Sequence, residues 1–146
     1  MVTLAPVTPD TPGFEPLLAE SLAGGHQMLH FFAENWHSGA NVFARRGEVM
    51  YGAWDGDTLV ATCGRNVDPY DPNPRAGRVR HLYVAEGYRQ HGIGRQLIEA
   101  IRRDAAIYFD YLNTNAPEAA SPFYTRLGFE PMAYAYGTHR YDLTQD

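Results

Sequence analysis

Arg89, Gly92 and Gly94 stand in the stretch YRQHGIGRQL, residues 88–97, between a β-rich run and a run with helical spacing. The first N–H groups of a helix have no carbonyl partner, and the helix dipole places about half a positive charge beside them. Glycine lets an anion reach those groups without meeting a Cβ. The order strand, polar turn, glycines, helix therefore predicts a phosphate site, with Arg89, Gln90 and Arg95 as further donors. A P-loop is excluded, because Gly94 is followed by Arg95-Gln96 and not by Lys-Ser/Thr. A Rossmann fingerprint lacks its third glycine, Leu97 taking that place, so a nucleotide binder of that kind is only the fallback.

The remaining reactive residues carry weaker signals. His26 and His30 are four apart on an expected helix, but no third ligand completes a zinc motif and no metal is expected. Cys63 is the single cysteine and sits in the strand-like run TLVATCG, where a small core residue is expected. The ten tyrosines include Tyr124, in the short run SPFYTRLGF.

The elements that must position these residues follow from spacing and breakers. A short strand in residues 1–5 precedes a proline-rich lead-in. FEPLLAESLA reads as a helix stopped by Gly24-Gly25, and HQMLHFFAENWH as a second, with Met28, Phe32 and Trp36 on one face. GEVMYGAWDGDTLVATCGRN reads as a hairpin turning at Asp55-Gly56. VDPYDPNPRAG, residues 67–77, is expected to be an exposed connection. A strand follows over 78–84, then a helix over 92–107 with Ile93, Leu97, Ile101 and Ala105 in line. Another strand is expected over 108–113. The helix of SPFYTRLGF should have Ser121 as cap, Pro122 first and Gly128 at its end. Two short strands close the chain. The order β-α-α-β-β-β-α-β-α-β-β is that of an α/β (α+β) sheet with helices packed on it, one domain over residues 1–146.

Net charge is −5, which argues against a general nucleic-acid binder. No apolar run reaches the ~18 residues of a membrane span. Residues 1–13 lack the features of a secretion signal, and with a lone cysteine this points to a cytoplasmic protein.

VRHLYVAEGYRQHGIGRQLIEAI, residues 79–101, together with ASPFYTRLGF, residues 120–129, resembles the two motifs of the GNAT family of N-acetyltransferases. These are a strand, Gln/Arg-x-x-Gly-x-Gly/Ala and an amphipathic helix, then Ala-x-x-Phe-Tyr-x-x-x-Gly-Phe. The resemblance implies the GNAT fold, a mixed central sheet of about seven strands with about four helices. It implies acetyl-CoA as acyl donor, with its pyrophosphate on the backbone of Arg89, Gln90, His91, Gly92, Ile93, Gly94 and Arg95. The pantetheine arm and thioester would lie along Leu82, Tyr83 and Val84, where the strand splays through a bulge, and Asn115 would lie near the coenzyme. A neutral primary amine would attack directly, and Tyr124 would protonate the leaving thiolate. The acceptor is expected to be a small molecule. A protein acceptor, a longer acyl-CoA and a non-catalytic CoA-binding sensor are the alternatives. The family also implies a homodimer.

The same resemblance places a proton acceptor where this chain has Arg78 and Arg80, and neither guanidinium can take a proton at neutral pH. Their spacing puts both on one strand face, toward the acceptor, where they would favour an anionic group beside the amine. The structural alternative is internal pairing with Glu34 or Asp71. His81 should point to the opposite face by strand alternation, and Glu86 is expected to be a solvated turn residue. Glu34, Tyr136 and His139 fall on elements that border the acceptor pocket in the family.

Overall fold

The computed structural model describes residues 1–144. Its elements are β1 (Thr3–Pro6), α1 (Phe14–Ala23), α2 (Met28–Ser38), β2 (Val49–Asp55), β3 (Thr58–Val67), β4 (Ala76–Val84), α3 (Ile93–Arg103), β5 (Tyr111–Thr114), α4 (Ser121–Arg126), β6 (Glu130–Tyr134) and β7 (Gly137–Asp142). This is the expected order. The strands form one sheet, β1-β2-β3-β4-β5-β7-β6. Among the described residues only β4 and β5 pair in parallel, which requires a crossover, and α3 supplies it. The sheet is therefore mixed, as expected.

β3 is an inner strand, between β2 and β4. Leu59 to Asn66 is continuously buried, the pattern of a strand covered on both faces. Asp55 and Thr58 close the β2–β3 hairpin, with Gly56 at φ 61°. α3 buries Ile93, Leu97, Ile98 and Ile101 and keeps Arg102 and Arg103 in its last turn, where cations suit the dipole. α1 stops at Gly24, as its glycine pair predicts.

Two irregularities in β4 shape the site. Thr62 pairs with Tyr83 but Gly64 pairs with Arg80, so β4 carries one extra residue in a bulge at His81–Leu82, and His81 takes a φ of 56°. On the other side β4 pairs with β5 only over Ala76–Arg78. Beyond Arg78 the two strands part, and the expected splay is present.

The structure differs from the sequence reading in several places. The helix expected to reach residue 107 ends at Arg103, because the Arg65 guanidinium takes the Ile101 carbonyl (2.6 Å) and the Asp104 carboxylate (2.7 Å). A single 3-10 turn then covers Ala105–Ile107, and β5 begins only at Tyr111. Ser121 is not a cap: it opens α4, no side chain caps that helix, and its hydroxyl lies 3.1 Å from His139 Nε2. The connection over residues 67–77 is not simply exposed either. Asp68 is 2% exposed and Ala76 is fully buried, so its acids fold inward.

Candidate active site

The two glycines of the turn do different work. Gly92 is the N-cap of α3 at φ 78°, a left-handed conformation, and a Cβ there would meet open space. Backbone handedness is what demands glycine at that position. Gln90, at φ 66°, shares the left-handed bend. At Gly94 an added Cβ would lie 3.2 Å from the Phe123 ring. That glycine lets the α4 aromatic pack close to the start of α3.

The first bond into the helix is Gln96 N–H to the Gly92 carbonyl, 3.0 Å, and no side chain caps the end. The N–H groups of Ile93, Gly94 and Arg95 therefore lack intrahelical partners. They border a cleft of 580 Å³ lined also by Val84, Arg89, Gln90 and Phe123. A donor array next to an open cleft suits a pyrophosphate. The Arg95 side chain turns to Glu99 at 2.9 Å, so its contribution is its backbone. His91 is exposed and its side chain lines neither this cleft nor the next.

A second cleft, 340 Å³, meets the first at Val84, Arg89 and Phe123 and follows the splay of β4. Leu82, Val84, Asn115 and Tyr124 line it. Arg89 spans the junction, its Nε donating to the Val84 carbonyl at 2.9 Å. Tyr83 reaches the cleft too, but its hydroxyl is bonded to Glu20 and its pKa is pushed up to about 12 by burial and by that carboxylate.

Tyr124 is 5% exposed, with its ring edge-on to Phe123 and Phe129. Burial raises its phenol well above the ordinary value. A phenol so placed keeps its proton until a strong base arrives. Cys63 is fully buried and its thiol is likewise pushed up by burial, which fits the expected core role.

Arg78 and Arg80 pair across β3 with Asn66 and Gly64, so the expected common face is found, but their surroundings differ. Arg78 is 8% exposed, lies 3.6 Å from Asp68 Oδ2, donates to the Tyr134 hydroxyl (3.1 Å) and sits over the Tyr70 ring. Its acid is Asp68, neither Glu34 nor Asp71. Asp68 also accepts from Asn113 (2.9 Å) and Tyr134 (2.9 Å), while Asp71 accepts from Tyr111 and lies 3.3 Å from Arg140. This buried network was missed in the sequence, where three prolines read only as loop. Arg80 has no ion pair within 4.0 Å among the described residues and one long hydrogen bond, 3.4 Å, to Asn66 Oδ1.

Other expected residues are dispersed. Glu34 is exposed, pairs with His30 at 3.4 Å and lines neither cleft. Tyr136 stacks on Tyr70, ring centroids 4.5 Å apart, beside Arg78 and away from the clefts. His81 does not follow alternation: the bulge turns its ring onto Phe32 and Phe43, with Nε2 buried and unbonded, and burial lowers its pKa to about 3. His139 is held by Ser121 and Thr138 behind Tyr124. His26, set aside with His30 by the sequence reading, is exposed and lines the cleft that contains Tyr124. The sequence reading put it on the second helix, but α2 begins only at Met28 and leaves His26 in the turn after α1.

Residues 46–131 match the family model described as Acetyltransferase (GNAT) domain. The chain belongs to the GNAT family. An uncharacterized N-acetyltransferase of Halalkalibacterium halodurans is 32% identical over 103 residues, 65% of this chain, and the match spans 58% of that relative's length. Among solved structures, a candidate acetyltransferase from Exiguobacterium sp. 255-15 shares 34% identity, with a TM-score of 0.88 over 99% of this chain and 95% of that one. A GNAT acetyltransferase from Staphylococcus aureus Mu50, 13% identical, matches 99% of this chain and 100% of its own with a TM-score of 0.73, a likeness of fold alone. The GNAT fold, expected from two motifs, extends over both the clefts and the sheet that builds them.

Proposed function

We propose that this protein transfers an acetyl group from acetyl-CoA to the primary amine of a small molecule. The observation that carries the reading is the continuity of the two clefts. Unpaired N–H groups of α3 stand at one end, the parted edge of β4 in the middle, and the buried Tyr124 phenol at the other. Acetyl-CoA, when bound, supplies an activated thioester.

The chain's own contributions follow from its geometry. The backbone of Gly92 to Arg95 and the Arg89 side chain hold the diphosphate. The edge of β4 freed beyond Arg78 offers backbone groups to an amide-bearing arm and an N–H to an oxygen that gains charge. Tyr124 gives its proton to a departing thiolate. Among the described residues lining the Tyr124 cleft, Arg80 and Arg89 are cations, while Tyr83 and His81 are engaged or buried. The exposed His26 is left to accept the ammonium proton, directly or through a water.

The test is calorimetry with acetyl-CoA, followed by thiol release with a panel of primary amines. Binding with acetyl transfer is expected. Binding without transfer to any amine would favour the CoA-sensor reading, and no binding at all would remove both.

A further inference from the structure

Arg80 lines the Tyr124 cleft and also a smaller pocket of 220 Å³ beside the end of β3, shared with Asn41, Glu48, Asn66 and Tyr70. No other residue belongs to both. We propose that this second pocket takes the body of the acceptor and that Arg80 binds a carboxylate or phosphate carried close to its amine. The proposal rests on the acetyl-transfer reading and names the substrate class of that site.

Three observations point this way. The first is bonding. The other arginines on the strands, Arg65, Arg78 and Arg140, each lie within 4.0 Å of a carboxylate, whereas Arg80 makes a single long contact to a neutral amide oxygen. A guanidinium presents five donors in a planar fork, so most of the Arg80 donors are unspent on side-chain partners among the described residues.

The second is cost. Arg80 is partly withdrawn from water and has the Arg78 charge beside it, and both effects lower its pKa. A partly desolvated cation next to another cation gains more from an arriving anion than one in open water does.

The third is the fate of its neighbours. Glu48 could have paired with Arg80, but its two oxygens take Arg45 N–H (2.9 Å), Asn66 Nδ2 (3.0 Å) and Val67 N–H (3.0 Å). Asp68 is likewise committed to Asn113, Tyr134 and Arg78. Local acids are thus hydrogen-bonded elsewhere, and although Glu48 also lines the pocket, no carboxylate of the described residues lies within 4.0 Å of Arg80. Arg78, expected to act with it, is part of the protein's own network and takes no share.

The position also limits the acceptor's size. Leu82 and Val84, which would border the thioester arm, lie two and four residues along the strand, at no more than about 3.3 Å per residue because the bulge at His81–Leu82 shortens the run. Anion and amine must therefore sit within one small molecule, as in an amino acid or an amino-sugar acid.

The experiment uses each of the standard L-amino acids and β-alanine, paired with its carboxamide, as acceptors. Thiol release is read at several pH values, so that the lower amine pKa of the amides is separated from recognition. Binding of the same compounds is read by saturation-transfer NMR. At least one carboxylate should be preferred over its amide by about 10- to 100-fold in kcat/KM, the range of a lost charge-assisted pair. Arg80→Gln should raise its KM and erase the preference, Arg80→Lys should keep part of it, and both should bind acetyl-CoA as the parent does. Equal or better use of the amides by the parent protein would overturn the anionic acceptor and leave acetyl transfer standing. So would indifference to Arg80→Gln, or neither turnover nor binding of any carboxylate. Failure to bind acetyl-CoA would instead strike the underlying function.

Discussion

At the scale of single residues, Tyr124 and His26 are opposites. Tyr124 is buried, its phenol raised by burial, and it needs a strong base before it yields its proton. His26 is exposed at the rim of the same cleft. The two should therefore separate kinetically. Tyr124→Phe keeps the ring packed against Phe123 and Phe129 and removes only the hydroxyl. It should lower kcat by about 10²- to 10⁴-fold, the usual size of general-acid catalysis, with little change in acetyl-CoA affinity by calorimetry. His26→Gln should leave the plateau rate at high pH close to the parent's and lower kcat/KM where the amine is still protonated, since an already neutral amine no longer needs that base. A Tyr124→Phe protein with parental kcat, chemistry being rate-limiting, would take the acid role from Tyr124. Parental kcat/KM for His26→Gln at low pH would assign the base to water.

At the scale of elements, the turn into α3 joins two glycine requirements that one motif concealed. Gly92→Ala forces a Cβ into a left-handed residue, which costs about 1–2 kcal/mol and so a few degrees of Tm. Gly94→Glu keeps the backbone hand but places a carboxylate in the wall of the diphosphate cleft, beside the Phe123 ring. Calorimetry and thermal melts should dissociate them, with stability falling most for Gly92→Ala and acetyl-CoA affinity falling most for Gly94→Glu. Equal acetyl-CoA affinity in a folded Gly94→Glu protein would move the diphosphate off this turn. The turn was legible in the sequence because helix starts, glycines and strands are local features. The bulge at His81 was expected only through the family resemblance, since it arises from a mismatch of one residue between β3 and β4 that neither strand reveals alone. Asp68 was hidden for the same reason. Prolines identify a loop, but only the approach of Arg78, Asn113 and Tyr134 from distant elements explains why its acid is buried. The division between Arg78 and Arg80 follows from that approach, and spacing alone made them equivalent.

At the scale of the whole molecule, the sheet and the crossover helix that carries the anion turn must stay in register, and Arg65 is the fastening. It is 2% exposed on β3, reaches the Gly47 carbonyl (2.7 Å) and the Ile101 carbonyl (2.6 Å), and completes its bonding on Asp104 (2.7 Å), just past the end of α3. Hydrogen bonding from Arg65 is the largest influence on Asp104 and holds its carboxyl below the ordinary carboxylate value of 3.8, with partial burial opposing. A depressed folded-state pKa means the unfolded chain binds the proton more readily. The stabilisation is therefore complete above about 3.8 and is lost as pH falls through the lower folded value. Asp104→Asn should cost about 1–3 kcal/mol at pH 7, less than a wholly buried pair because water reaches the Asp104 side, whose side chain is 46% exposed. As pH is lowered from 4 toward 2 the parent protein should lose stability faster than the variant, and the gap between their denaturation midpoints should close. Urea titrations of both proteins at stepped pH measure this directly. A gap that stays constant down to pH 2 would mean that Asp104 titrates alike in the folded and unfolded chains, and Arg65 would then fasten α3 through its two carbonyl contacts alone.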